Sequence, residues 1–150
     1  MNFHRSATWQ WRGLAALGLL ATAAVHIDIA PEHLREAPYA GVLFLALGAA
    51  ALACAVLLVA TARPAAWLAA GTLCLASLGA YCLSRSVGLP MLADDIGDWL
   101  NPLGVLAVVS EAAVVLISGR ALAATGRYRS VTATDLLYTV LPPSPSAPEG

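Results

Sequence analysis

Four long apolar runs, separated by short stretches rich in proline and polar residues, dominate the chain. They cover approximately Gly13–Ala30, Tyr39–Thr61, Ala65–Ser84 and Pro102–Ala124. Each holds roughly the 20 residues that an α-helix needs to cross about 30 Å of hydrocarbon. Pro31, Pro38, Pro64, Pro90 and Pro102 fall at or between the ends of these runs, where a missing N–H costs a helix little. Asn101-Pro102 reads as a helix cap followed by a first-turn proline, and Pro31 is expected to end the first helix. The pattern predicts an all-α, four-transmembrane-helix bundle over residues 1–129. A tail follows over 130–150, with a short interfacial helix at Ser130–Leu141 and a disordered PPSPSAPEG end.

The placement of charge gives this bundle an expected orientation. All basic residues are arginine, and six of the eight lie at Arg5, Arg12, Arg63, Arg120, Arg127 and Arg129. Only Arg35 and Arg85 lie on the other side. By the positive-inside rule, both termini and the short 62–64 turn are cytoplasmic, and the loops around 31–38 and 85–101 face outward. Most acids partition the opposite way: Asp28, Glu32 and Glu36 in the first outer loop, Asp94, Asp95 and Asp98 in the second. Trp9, Trp11 and Trp67 are expected at the inner interface, Tyr39 and Trp99 at the outer one.

Composition narrows the class further. The chain is 59% hydrophobic and 11% charged, with a mean hydropathy of +0.76. A soluble domain carries roughly 25% charged residues, so a multi-pass membrane protein is indicated, with the lipid bilayer as its first partner. A homo-oligomer or a larger membrane complex is compatible with it. The net charge of −1 excludes nucleic acid as a partner, since that requires a basic stripe. The absence of lysine beside abundant Ala, Leu and Gly points to a GC-rich bacterial genome, and so to a bacterial inner membrane. Arg5, Arg12, the run Gly13–Leu20 and Ala21-Thr22-Ala23 have the outline of a secretory signal with an A-x-A cleavage site. The apolar run continues past it through Val25-His26-Ile27, so retention is the expectation. Cys54, Cys74 and Cys82 lack metal or disulfide spacing and read as small packing residues.

Within the spans, the seven-residue steps of Gly41, Gly48, Ala55 and Ala62 line one face and predict a close-packing seam. Cys74, Ser77, Tyr81 and Ser84 form the polar stripe of the third span. Glu111, in VVSEAAVV, is the most costly residue in the chain, because a central charge costs about 2.5–3.5 kcal/mol on insertion scales. It shares a face with Gly104, Ala107 and Ser118 and lies roughly 13 Å from the outer helix end. An inward-facing constellation of His26, Tyr81 and Glu111 with Ser77 at similar depth is therefore expected. It would serve as an intramembrane proton carrier or ligand, or as a neutral Glu111 hydrogen-bonded to a carbonyl or to Tyr81.

The outer loops offer a second candidate. His26, Glu32 and His33, near Asp28 and Glu36, are suitable ligand types for a divalent metal (Cu, Zn or Fe). Pro31 is expected to break the helix between His26 and His33, and the order of these residues matches no metal signature. A solvated acidic turn is the competing reading. In the second loop, Met91, Leu92, Ile96, Trp99 and Leu100 are expected to form the apolar face of a short interfacial helix. Its acids would face water or the Arg35/Arg85 pair. No nucleophile–base pair, phosphate cradle or dinucleotide fingerprint appears, so an enzyme is the minority reading.

The segments PEHLREAPYAGVLF (31–44), SRSVGLP (84–90), DDIGDWLNPLG (94–104) and the following Ser110-Glu111 resemble a family of small four-span membrane proteins of high-GC bacteria. The resemblance covers roughly residues 20–118. It implies that both outer loops and Glu111 belong to one unit, and it implies no catalytic residue. Two functions follow as expectations: a non-enzymatic accessory, structural or sensory membrane subunit, or a metal- or proton-handling transport component using His26, Glu32, His33 and Glu111.

Overall fold

The computed structural model describes residues 3–61 and 63–140, and side chains over 9–61 and 63–125. Its long elements are α1 (Phe3–Glu36), α2 (Pro38–Ala60), α3 (Pro64–Ser86) and α4 (Pro102–Val140), with a single 3-10 turn at Ala93–Asp95. All four helices are long and apolar enough to cross a membrane, over Trp9–Glu36, Pro38–Ala60, Pro64–Ser86 and Pro102–Thr125. The fold is the expected all-α four-helix bundle. Each helix packs on two neighbours around a ring, α1 on α2, α2 on α3, α3 on α4 and α4 back on α1, with the α1–α2 contact the most extensive. The bundle thus has a loop end, holding the α1–α2 corner and segment 87–101, and a terminal end, holding the start of α1 and the α2–α3 turn.

Three boundaries differ from the sequence pattern, each for a local reason. Pro31 does not end α1; it lies inside the helix. Pro31 is exposed, and its missing N–H costs one rung of the ladder, the bond to the Ile27 carbonyl. The α1–α2 connection therefore shrinks to Ala37, whose backbone (φ −140°, ψ 83°) lies outside the helical region that Pro38 disfavours for the residue before it. At the other extreme, α4 continues unbroken to Val140, so the segment expected as a separate interfacial helix prolongs it. PPSPSAPEG lies outside the described residues.

Segment 87–101 contains no interfacial helix. Gly88 and Gly97 (both φ 82°) and Met91 (φ 65°) adopt left-handed backbone conformations, which interrupt any longer helix. Leu92 turns inward against Ala37 and Ala40, whereas Met91, Ile96, Trp99 and Leu100 remain exposed. The expected helix start after this segment is observed: Asn101 Oδ1 accepts from the N–H groups of Leu103 (3.2 Å) and Gly104 (3.3 Å). This is N-cap geometry.

The small-residue seam forms as expected. Gly41, Gly48 and Ala55 are buried, while Ala62 lies outside the described residues. A Cβ placed on Gly41 would come within 2.5 Å of Leu34, and one on Gly48 within 2.8 Å of Ile27. These contacts set α2 directly on α1, the close approach through which membrane helices gain packing energy without a hydrophobic driving force. At the terminal end Arg12 of α1 donates from Nε to the Leu58 carbonyl (2.6 Å) and from its terminal nitrogen to that of Val59. It thereby satisfies carbonyls that the end of α2 leaves free. Trp9 and Trp11 are exposed at this end, whereas Trp67, in the first turn of α3, is buried in the core.

Candidate functional site

A polar centre lies in the interior where all four helices contribute. Glu111 of α4 is 1% exposed and His26 of α1 6%. Ser77 of α3 donates from Oγ to Glu111 Oε1 at 2.8 Å, and His26 Nε2 lies 3.8 Å from the same oxygen. The Phe44 ring of α2 meets the His26 imidazole edge-on, with ring centroids 5.4 Å apart. The face predicted for α4 is the one observed, since Ala107 and Ser118 are buried beside Glu111. Cys74, one turn from Ser77 on α3, is fully buried.

The hydrogen bonds fix the tautomer of His26. Its Nδ1 lies 2.8 Å from the Thr22 carbonyl oxygen, which can only accept, so Nδ1 carries a hydrogen. Nε2 is then the atom whose proton is exchangeable, and it is the nitrogen turned toward Glu111. One proton shared by the pair leaves it with no net charge, whether held as imidazolium and carboxylate or as neutral imidazole and carboxylic acid. Removing that proton leaves a lone buried anion, and adding a second leaves a lone buried cation. Both are costly in a medium of low dielectric constant. The 3.8 Å separation exceeds hydrogen-bond length, so the proton sits on one partner or the other.

Two residues that the sequence analysis gave no role of their own support this centre. Thr22 Oγ1 and Ser110 Oγ are 3.1 Å apart, and Ser110 also donates to the Ala107 carbonyl at 2.9 Å. Thr22 thus ties α1 to α4 by its side chain while its carbonyl holds His26. Thr22 lies four residues before His26, and Ser110 adjoins Glu111 in the Ser110-Glu111 pair.

Tyr81 is not part of the centre. Its hydroxyl donates to the Trp99 carbonyl at 3.0 Å, and its ring covers Gly104, where an added Cβ would lie 3.0 Å from it. Tyr81 instead joins a second polar cluster at the loop end. There Arg85 and Asp95 form an ion pair at 2.5 Å, Ser84 donates to Asp95 Oδ2 at 3.0 Å, and the Arg85 guanidinium lies over the Tyr81 ring, 5.1 Å from its centroid. Tyr39 ties the start of α2 to the same loop by donating to the Pro90 carbonyl at 2.6 Å.

The proposed metal ligands do not converge. His26 and His33 share one continuous helix two turns apart, because Pro31 does not break it. The Nδ1 of His33 is held by the Ile29 carbonyl at 3.0 Å, and Glu32 is exposed. Among the described residues, no three His, Cys, Asp or Glu side chains are grouped to hold a metal ion. Comparison with known proteins adds no further assignment: no protein-family model, curated protein or solved structure matches the chain.

Proposed function

We propose that this chain is a non-enzymatic sensory or accessory subunit of a bacterial inner membrane, and that its working element is a proton held between His26 and Glu111. The observation that carries this reading is the burial of the pair at the meeting point of the helices, with its tautomer set by the Thr22 carbonyl. Ionisable groups inside a membrane are costly and mark proton or ligand sites. A proton is favoured over a metal because His26 already uses one nitrogen on the backbone and His33 and Glu32 lie apart from it. The arginine distribution supports an orientation with both termini cytoplasmic.

Infrared difference spectroscopy of the purified full-length protein in proteoliposomes tests this function. Changing pH is expected to produce a carboxyl signal that disappears in Glu111→Gln and is displaced in His26→Gln. A native protein without such a signal would reduce the centre to a packing element.

A further inference from the structure

The buried pair needs a way to exchange its proton with water, and the α1–α2 interface contains a candidate. His33 is half-buried near the loop end of α1, seven residues beyond His26 and so about 10 Å along the same helix. The Phe44 ring of α2 lies between the two imidazoles: its centroid is 4.7 Å from that of His33 and 5.4 Å from that of His26, edge-on to both. Gly41 and Gly48 flank Phe44 and bring the backbones of α1 and α2 together on either side. The aromatic ring thus fills the space between the histidines. Pro31, also between them, removes one rung from the helix ladder there. Acids on the same helix end, Asp28, Glu32 and Glu36, are exposed.

Building on the proton-holding centre above, we infer that His33 is the entry group for that proton and that Phe44 is the gate between it and the buried pair. A hydronium ion at the loop end gives a proton to His33 Nε2, forming an imidazolium and leaving water. The Nδ1 of each histidine is committed to a carbonyl, of Ile29 and Thr22 respectively. Each ring therefore takes up and gives back the proton at the same nitrogen. Transfer onward to Nε2 of His26 or to Glu111 then requires the Phe44 ring to swing aside and admit water, after which His33 is neutral again. The groups that face the receiving carboxylate are His26 from α1 and the uncharged Ser77 hydroxyl from α3. From α2, Phe44 offers the two histidines an uncharged ring.

The test uses the full-length protein in proteoliposomes with diethyl pyrocarbonate as an imidazole probe, read by peptide mass. His33 is expected to react readily, and His26 roughly tenfold more slowly because local opening must precede its reaction. Phe44→Ala should bring the His26 rate close to that of His33, with Phe44→Leu, which preserves more of the packing, in between. After a pH jump, His33→Gln should slow the appearance of the Glu111 carboxyl signal several-fold while leaving its equilibrium titration unchanged. Equal reactivity of the two histidines in the native protein overturns the gate, as does continued protection of His26 in Phe44→Ala. An unchanged rate in His33→Gln overturns the entry role alone. A native protein with no Glu111 signal at any pH overturns the proton centre itself, and the route with it.

Discussion

The described residues hold two acid–base pairs, and they are built to opposite specifications. Arg85 and Asp95 meet at 2.5 Å with their side chains 12% and 27% exposed. Ser84 binds the second carboxylate oxygen, and the Asp95 carbonyl accepts a further bond from Arg85 at 3.3 Å. An arginine cannot give up its charge in a protein, so this pair is permanently ionic and acts as a clamp on segment 87–101. His26 and Glu111 stand farther apart, at 3.8 Å, and are more deeply buried, at 8% and 2% by side chain. Both members can become neutral without losing or gaining a proton overall. Tight contact fits a pair that must always be charged, and a loose one fits a pair that can redistribute a proton.

Substitutions that take one member from each pair should separate these roles. The largest effect is expected for Glu111→Ala, which leaves His26 and Ser77 facing an apolar void. A stability loss of about 3 kcal/mol is expected from an orphaned buried partner, read as a lowered midpoint of thermal unfolding in detergent. Arg85→Ala should cost less, about 1–2 kcal/mol, because water can reach Asp95. Its more telling result would be faster proteolysis within 87–101 while the helices stay resistant. Glu111→Gln keeps an acceptor for Ser77 and should change stability by less than about 1 kcal/mol, yet abolish the pH-dependent infrared signal. The smallest effect is expected for Ser84→Ala, about 0.5–1 kcal/mol for one hydrogen bond. Salt offers a final contrast: raising ionic strength should weaken the rim pair measurably and leave the central pair unaffected. Equal salt sensitivity at both pairs would remove the distinction.

Much of the fold was legible because lipid imposes simple rules. Spans must be long, apolar and hydrogen-bonded within themselves, so run length alone located all four helices. The glycine seam and the inward face of Glu111 followed from helical spacing, and Ser77 was found at the expected depth. Pro31 was misleading because a proline's local preference says nothing of the direction its ring faces. Exposed on α1, it interrupts one hydrogen bond and no packing. Tyr81 was drawn to the wrong partner because spacing along α3 cannot foresee that an irregular loop will return a carbonyl from Trp99. The same loop escaped pattern reading because its path depends on three left-handed residues, and only Gly88 and Gly97 announce such a conformation. Thr22 was overlooked because threonine in an apolar run carries no distinctive period; its importance comes from contacts with α4.

The arginine at the start of the bundle has a consequence for how the molecule assembles. Arg12 reaches across to the last carbonyls of α2, and at the opposite end Ala37 alone joins the two helices, so the α1–α2 hairpin is fastened at both extremities. Its glycine-lined seam needs nothing from α3 or α4. A chain entering the bilayer from its N-terminus can therefore complete this hairpin before the second half has been synthesised. The second pair would then dock against a finished surface already presenting Thr22, His26 and Phe44, and the polar centre would close only when Ser77 and Glu111 arrive. Integrity of the buried pair would report that all four spans are in place.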